Sequence, residues 1–222
     1  MDLKNQLSPI KELNICESAD SLGSGGANWS APRSNTVIDS SFFSRTADVL
    51  ARDLIGRILE TTINGEKTSG IITETTAYTG ANEPQSHEYK VRKGGSAITW
   101  SAGSLYVYST QGHTILTIAA SPFKDGATVL IRALEPLAGC EVMQQRSDTP
   151  LEKITIGPGN LSKALGITAE LNGYNVLAPE SEITILPGFA VAPEHVTATK
   201  RKGEKGDALA LRFFRAGSEW VS

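Results

Sequence analysis

The first readable hydrophobic period begins after Phe42, with Val49, Leu50, Leu54 and Ile55 at helical spacing. Thr46 stands where an N-cap belongs and Gly56 where a left-handed stop belongs, so the pattern predicts a helix between them. Arg57 to Ile63 then reads as a strand, and Asn64-Gly65 is the dipeptide that favours a tight type I′ hairpin. The return strand is predicted from Lys67 to Tyr78. Side chains alternate across a strand, which puts Ile72, Glu74, Thr76 and Tyr78 on one face and Ile71, Thr73, Thr75 and Ala77 on the other. Further strands are predicted over 105–109, 115–119 and 128–133. Glu135-Pro136 reads as the opening of a helix reaching Gln145, and Gly157-Pro158-Gly159 precedes a short helix over 161–165. Closing strands are predicted over 182–186, 190–197 and 209–214. Hairpins dominate, so the expected class is α+β: a single domain with a curved, mainly antiparallel β-sheet and flanking helices. Residues 1–37 carry no hydrophobic period and are expected to form a flexible N-terminal tail ahead of a domain over 38–222.

Composition narrows the picture. With 222 residues, 40% apolar and 20% charged, the chain suits one soluble domain with a substantial core. No apolar run approaches the ~18 residues of a membrane helix, so no membrane partner is expected. Met1 to Gln6 lacks the apolar stretch of a secretory signal, which predicts an intracellular protein: cytoplasm if prokaryotic, nucleus if eukaryotic. Cys16 and Cys140 lack C-x-x-C spacing and are expected as reduced thiols, with a Cys16–Cys140 disulfide as the lesser alternative. His87, His113 and His195 lack ligand spacing, so no metal is expected. The net charge of −3 argues weakly against a nucleic-acid partner, although phosphate binding follows local charge. Two local basic clusters exist, at Lys90, Arg92 and Lys93 and at Lys200, Arg201, Lys202 and Lys205. Solvated surface is the plainer account of either.

Candidate chemistry concentrates between Glu74 and Arg132. Glu74 and Tyr78 share a strand face, Tyr106 and Tyr108 share another, and His87 lies in the loop between. Aromatic rings beside a carboxylate suit a flat, electron-poor ligand, while the plain alternative is that strand tyrosines pack and hydrogen-bond. The sequence has no G-x-S-x-G elbow, no phosphate-binding G-x-x-x-x-G-K-[ST] loop and no H-E-x-x-H motif.

An ordered set of segments resembles the alkyladenine (3-methylpurine) DNA glycosylase family. It comprises Phe42-Phe43 with Ala51-Arg52-Asp53-Leu54-Ile55-Gly56, then Glu74-Thr75-Thr76-Ala77-Tyr78, then His87. Leu105-Tyr106-Val107-Tyr108, the run from Val129 to Pro136, Gly157 to Leu161, Arg212-Phe213-Phe214 and Trp220-Val221-Ser222 continue it. The resemblance implies a monomeric, monofunctional glycosylase that flips an alkylated or deaminated purine out of duplex DNA and hydrolyses its N-glycosidic bond. No metal or organic cofactor is implied. By position, Tyr78, His87 and Tyr108 would stack on the flipped base, and Arg132 would lie near the group that activates water.

Two departures bear on the chemistry. The family's catalytic glutamate corresponds to Thr76, whose hydroxyl cannot hold a proton from water near neutral pH. The family's intercalating tyrosine corresponds to Gln111, which fills a gap but stacks poorly. Glu74, two residues before Thr76, is the candidate displaced base; alternatively it keeps a structural role and pairs with a nearby cation. The expectation is a glycosylase that releases damaged purines, with an impaired member that binds DNA or damaged bases without efficient cleavage as the alternative. Lys200, Arg201 and Lys202 are candidates for DNA backbone contact.

Overall fold

The computed structural model describes residues 38–80, 101–120, 126–202 and 209–222. Asp39 caps a first short helix, α1 (Ser40–Phe43), its carboxylate accepting from the backbone N–H of Ser41 and Phe42. α2 (Ala47–Leu54) follows with Thr46 at its N-cap, although the Thr46 side chain makes no capping bond. The chain leaves α2 through Gly56 at φ +86, where the Phe189 carbonyl oxygen approaches to 2.5 Å of the place a Cβ would occupy. Only glycine combines that backbone angle with that closeness.

β1 (Ile58–Ile63) and β2 (Glu66–Tyr78) form the expected hairpin, with Asn64 and Gly65 at positive φ. β3 (Leu105–Thr110), β4 (His113–Ala119) and β5 (Thr128–Ala138) complete the central sheet, followed by α3 (Cys140–Arg146) and α4 (Pro158–Ala164). β6 (Ile183–Leu186), β7 (Val196–Thr199) and β8 (Arg212–Arg215) close the chain. The order is β3-β4-β5-β2-β1-β6, with β8 joining β2 to β7, and every strand pairing is antiparallel. The α+β class with a curled antiparallel sheet agrees with the sequence pattern. Phe43, Leu50, Leu54, Leu116, Ile131 and Leu134 belong to the core between sheet and helices.

β2 organises the molecule. β5 pairs with it from Ser69 to Tyr78, while β1 and then β8 take successive lengths of its other edge. Strands on both edges leave little room for water, and Thr73 to Thr76 are wholly buried.

Four expectations are corrected. The register of β2 against β5 shifts on both sides of Glu74. Strict alternation therefore fails: Ile72 joins the core together with Ala77, and Thr75 Oγ1 donates to the Ala51 carbonyl of α2 at 2.8 Å. A bulge re-aims side chains in this way. Second, Glu135-Pro136 does not open a helix but continues β5, and α3 starts at Cys140. Pro136 pairs with Gly70 where β4 no longer runs alongside, and proline is tolerated where no ladder donor is required. Third, most of the strand predicted over 190–197 is a loop with a 3₁₀ turn over Pro193–His195, and β7 begins only at Val196. Fourth, Cys140 is disulfide-bonded rather than a reduced thiol; sequence spacing cannot report which side chains approach. Residues 1–37, His87 and the cluster at Lys90, Arg92 and Lys93 lie outside the described residues. Among the described residues no helix is long and apolar enough to cross a membrane.

Candidate active site

The far half of β2 delivers Glu74, Thr76 and Tyr78, while β5 and β8 bring arginines to its two edges. Glu74 is 0% exposed, and both its oxygens are engaged. Oε1 accepts from Arg212 Nε at 2.6 Å, from Ser222 Oγ at 3.0 Å and from Arg132 Nε at 3.1 Å. Oε2 accepts from the Ser222 backbone N–H at 2.6 Å. Arg212 Nη2 also donates to the Ser222 carbonyl at 2.8 Å, which closes the cluster into a ring of bonds. Thr73 Oγ1 donates to the Trp220 carbonyl at 2.6 Å and fastens the same segment one step earlier along β2. The side chains of Arg132 and Arg212 are 12% and 10% exposed, so two guanidiniums share one carboxylate in a largely dry setting. A carboxylate holding charge-assisted bonds of this kind has little capacity left for a substrate water.

Thr76 lies opposite Leu130 on β5 and Arg212 on β8. It is wholly buried, and among the described residues its Oγ1 has no hydrogen-bond partner. An orphaned buried hydroxyl is costly and uncommon, and β2 carries two, at Ser69 and at Thr76.

Tyr78 ends β2 half-buried. The Arg201 guanidinium carbon lies 5.0 Å from the centroid of its ring, and Arg201 Nη1 donates to the Ala77 carbonyl at 3.2 Å. On β3, Tyr106 and Tyr108 share a face with ring centroids 5.0 Å apart and planes inclined at 32°. Gln111 sits exposed at the β3–β4 hairpin tip at φ +50, beside Gly112 at +79, a pair of left-handed residues that makes the two-residue turn.

The basic cluster divides. Lys200 is exposed, whereas Arg201 is only 5% exposed and faces the Tyr78 ring. The Lys202 ammonium donates to the Ser222 carbonyl. Arg201 is the buried member of the three, between two exposed lysines. The structure thus brings Glu74 and Arg132 together and places Arg201 against Tyr78. Sequence reasoning missed Arg212 and Ser222 as partners of Glu74. Their signal lies in the Arg212-Phe213-Phe214 and Trp220-Val221-Ser222 motifs, and the sequence leaves the cation beside Glu74 unidentified.

By sequence, the chain carrying this sheet and cluster matches proteins of one class, the DNA N-glycosylases. The family model for methylpurine-DNA glycosylase matches residues 41–219. A relative from Lactiplantibacillus plantarum is 35% identical over 193 residues, covering 84% of this chain and 91% of its own. One from Methanoculleus marisnigri is 35% identical over 194 residues, covering 84% and 98%, and one from Bacillus subtilis is 34% identical over 198 residues, covering 86% and 98%. Each bears the name "Putative 3-methyladenine DNA glycosylase". The chain belongs to the methylpurine-DNA glycosylase family.

Proposed function

We propose that this chain acts as a monomer on damaged purines in duplex DNA, and that it recognises the flipped base well but hydrolyses its N-glycosidic bond slowly. The observation that carries this reading is Thr76: at the position that the family resemblance gives to the general base stands a buried hydroxyl, unpartnered among the described residues. General-base assistance contributes typically about 10²–10⁴-fold, and a threonine with an ordinary hydroxyl cannot supply it at neutral pH. Glu74 does not replace it on this reading, because two guanidiniums and both Ser222 donors already take up its oxygens. Its part is to hold Arg132, Arg212 and the end of the chain in register. Recognition rests on Tyr78 and Tyr108, together with His87, as the surfaces on which an extruded base stacks. Duplex DNA as partner agrees with an intracellular site of action.

Single-turnover base release from a hypoxanthine-containing duplex tests the proposal. The expected result is slow release by the native protein and release about 10²-fold faster or more in Thr76→Glu, which restores a carboxylate at the base position. Efficient release by the native protein that Glu74→Gln abolishes would overturn it and make Glu74 the base.

A further inference from the structure

The β3–β4 hairpin carries Tyr108, and three supports hold that hairpin. On its inner side β4 pairs with β5 from Thr117 to Ala119. Beyond Thr117 the two strands part, and a later segment takes the edge of β5 that β4 has left. Ile156 bridges to Ala133 there, and Thr155 Oγ1 donates to the Leu134 carbonyl at 2.6 Å. On the outer side the Val107 N–H donates to Asn172 Oδ1 at 3.0 Å. The third support lies at the tip. His113 opens β4 exposed to solvent, and its ring rests on Gly159 in the first turn of α4, a helix rooted in the core by Leu161 and Ala164. A Cβ on Gly159 would stand 2.7 Å from His113 Nδ1, 2.8 Å from its Cγ and 3.0 Å from its Cβ. Carbon atoms in contact stand about 3.5–4.0 Å apart, so only a residue without a side chain lets the hairpin approach α4 this closely. Tyr108 pairs with Ile115, on the stretch between the Thr117 ladder and this tip contact.

We infer that His113 is a positioning residue: seated on Gly159, it fixes the far end of the hairpin and so sets where the Tyr108 ring stands for a flipped base. The inference rests on the proposed function, since it presupposes a base stacked on Tyr108. A ring against a bare backbone holds by shape rather than charge. Such a contact bears on the fit of an extruded base and not on attraction of the phosphate backbone, which follows charge. A methyl added to a helical glycine in open space favours the helix, so harm done by Gly159→Ala comes from the collision with His113.

The experiment is equilibrium binding to two duplexes, undamaged and ethenoadenine-containing, with the ethenoadenine emission of the saturated complex read alongside. The lesion nucleotide carries 2′-fluorine so that base loss does not intervene. The native protein is expected to prefer the lesion. His113→Ala and Gly159→Ala should each lower that preference by about fivefold or more, the smaller end of what losing a stacking surface costs, and each should change the emission. Affinity for the undamaged duplex should stay within about threefold of native, which also reports that the variant is folded. The double variant should be no worse than either single one, because the new methyl enters space the ring has left. Adding His113→Ala to Tyr108→Ala should change the preference no further, since the contact acts through Tyr108. His113→Ala, at an exposed position, decides the matter if Gly159→Ala does not fold. Native preference and native emission in His113→Ala would overturn this inference and leave the proposed function standing. So would a loss in the Tyr108→Ala background as large as in the native one. Equal affinity of the native protein for both duplexes would remove the proposed function, and the inference with it.

Discussion

Replacing Glu74 by glutamine keeps the shape of the side chain and removes its charge. Four donors converge on this carboxylate, from Arg132, Arg212 and both groups of Ser222, at 2.6–3.1 Å. The amide retains one accepting oxygen and turns a donor towards groups that are themselves donors. Two guanidiniums, each with a side chain about nine-tenths buried, then lack their counter-charge. Breaking a buried ion pair by removing one partner costs about 3–5 kcal/mol, most of it the penalty of the charge left behind. The separate hydrogen bonds do not add to that figure, since they act on the same carboxylate as one network. For a chain of this size each kcal/mol moves Tm by about 2–4 °C, so the midpoint should fall by roughly 6–20 °C. Thermal and urea unfolding of native protein and Glu74→Gln would measure it, with equal urea slopes confirming a change in stability rather than in the unfolded state. A variant within about 1 kcal/mol of native, yet devoid of base release, would refute the reasoning. It would mean that the cluster holds without Glu74 and that the carboxylate serves catalysis.

Three further outcomes follow from the geometry. Gly56→Ala places a Cβ 2.5 Å from the Phe189 carbonyl oxygen at φ +86, and the left-handed backbone alone costs about 1–2 kcal/mol; a chemical-denaturation midpoint equal to native would contradict that close approach. The Ser41 hydroxyl, helped by the Phe42 backbone N–H, holds the Asp39 carboxyl below its ordinary value of 3.8. A lowered folded value means that the cap's charge-dependent contribution is present above pH 3.8 and lost as pH falls through the folded value. The stability gap between native protein and Asp39→Ala should therefore narrow on acidification below 3.8, and a gap independent of pH would exclude a charged cap. Within the basic cluster, neutralising exposed Lys200 should weaken duplex binding without regard to lesion and reduce the salt slope by about one. An unchanged slope in a salt titration would assign Lys200 to solvated surface.

Much of the fold was legible because it rests on local chemistry. The α2 period, the Asn64-Gly65 turn, the hairpin it joins and the proline at the start of α4 each depend on residues within a few positions of one another. So does the pairing of Tyr106 with Tyr108, which only needs two residues on one strand face. The family, too, was readable from an ordered series of short motifs. What lay beyond the sequence were the relations between segments far apart in the chain. Nothing local marks β5 as continuing through Pro136; that depends on Gly70, 66 positions earlier, offering a partner. The re-aiming of Ile72 away from Glu74 depends on a register shift against β5, which no alternation rule on β2 alone can contain. The partners of Glu74 were not legible, because Arg132, Arg212 and Ser222, which meet it in the fold, lie 58, 138 and 148 positions away. Arg201 read as a surface charge because charge runs usually are, and it became a buried neighbour of Tyr78 only when the segment after β7 reached the end of β2. Local steric and hydrogen-bonding preferences write the elements into the sequence. The environment of a charge is set by what the folded chain brings around it, so tertiary structure alone decided which charges are free to act.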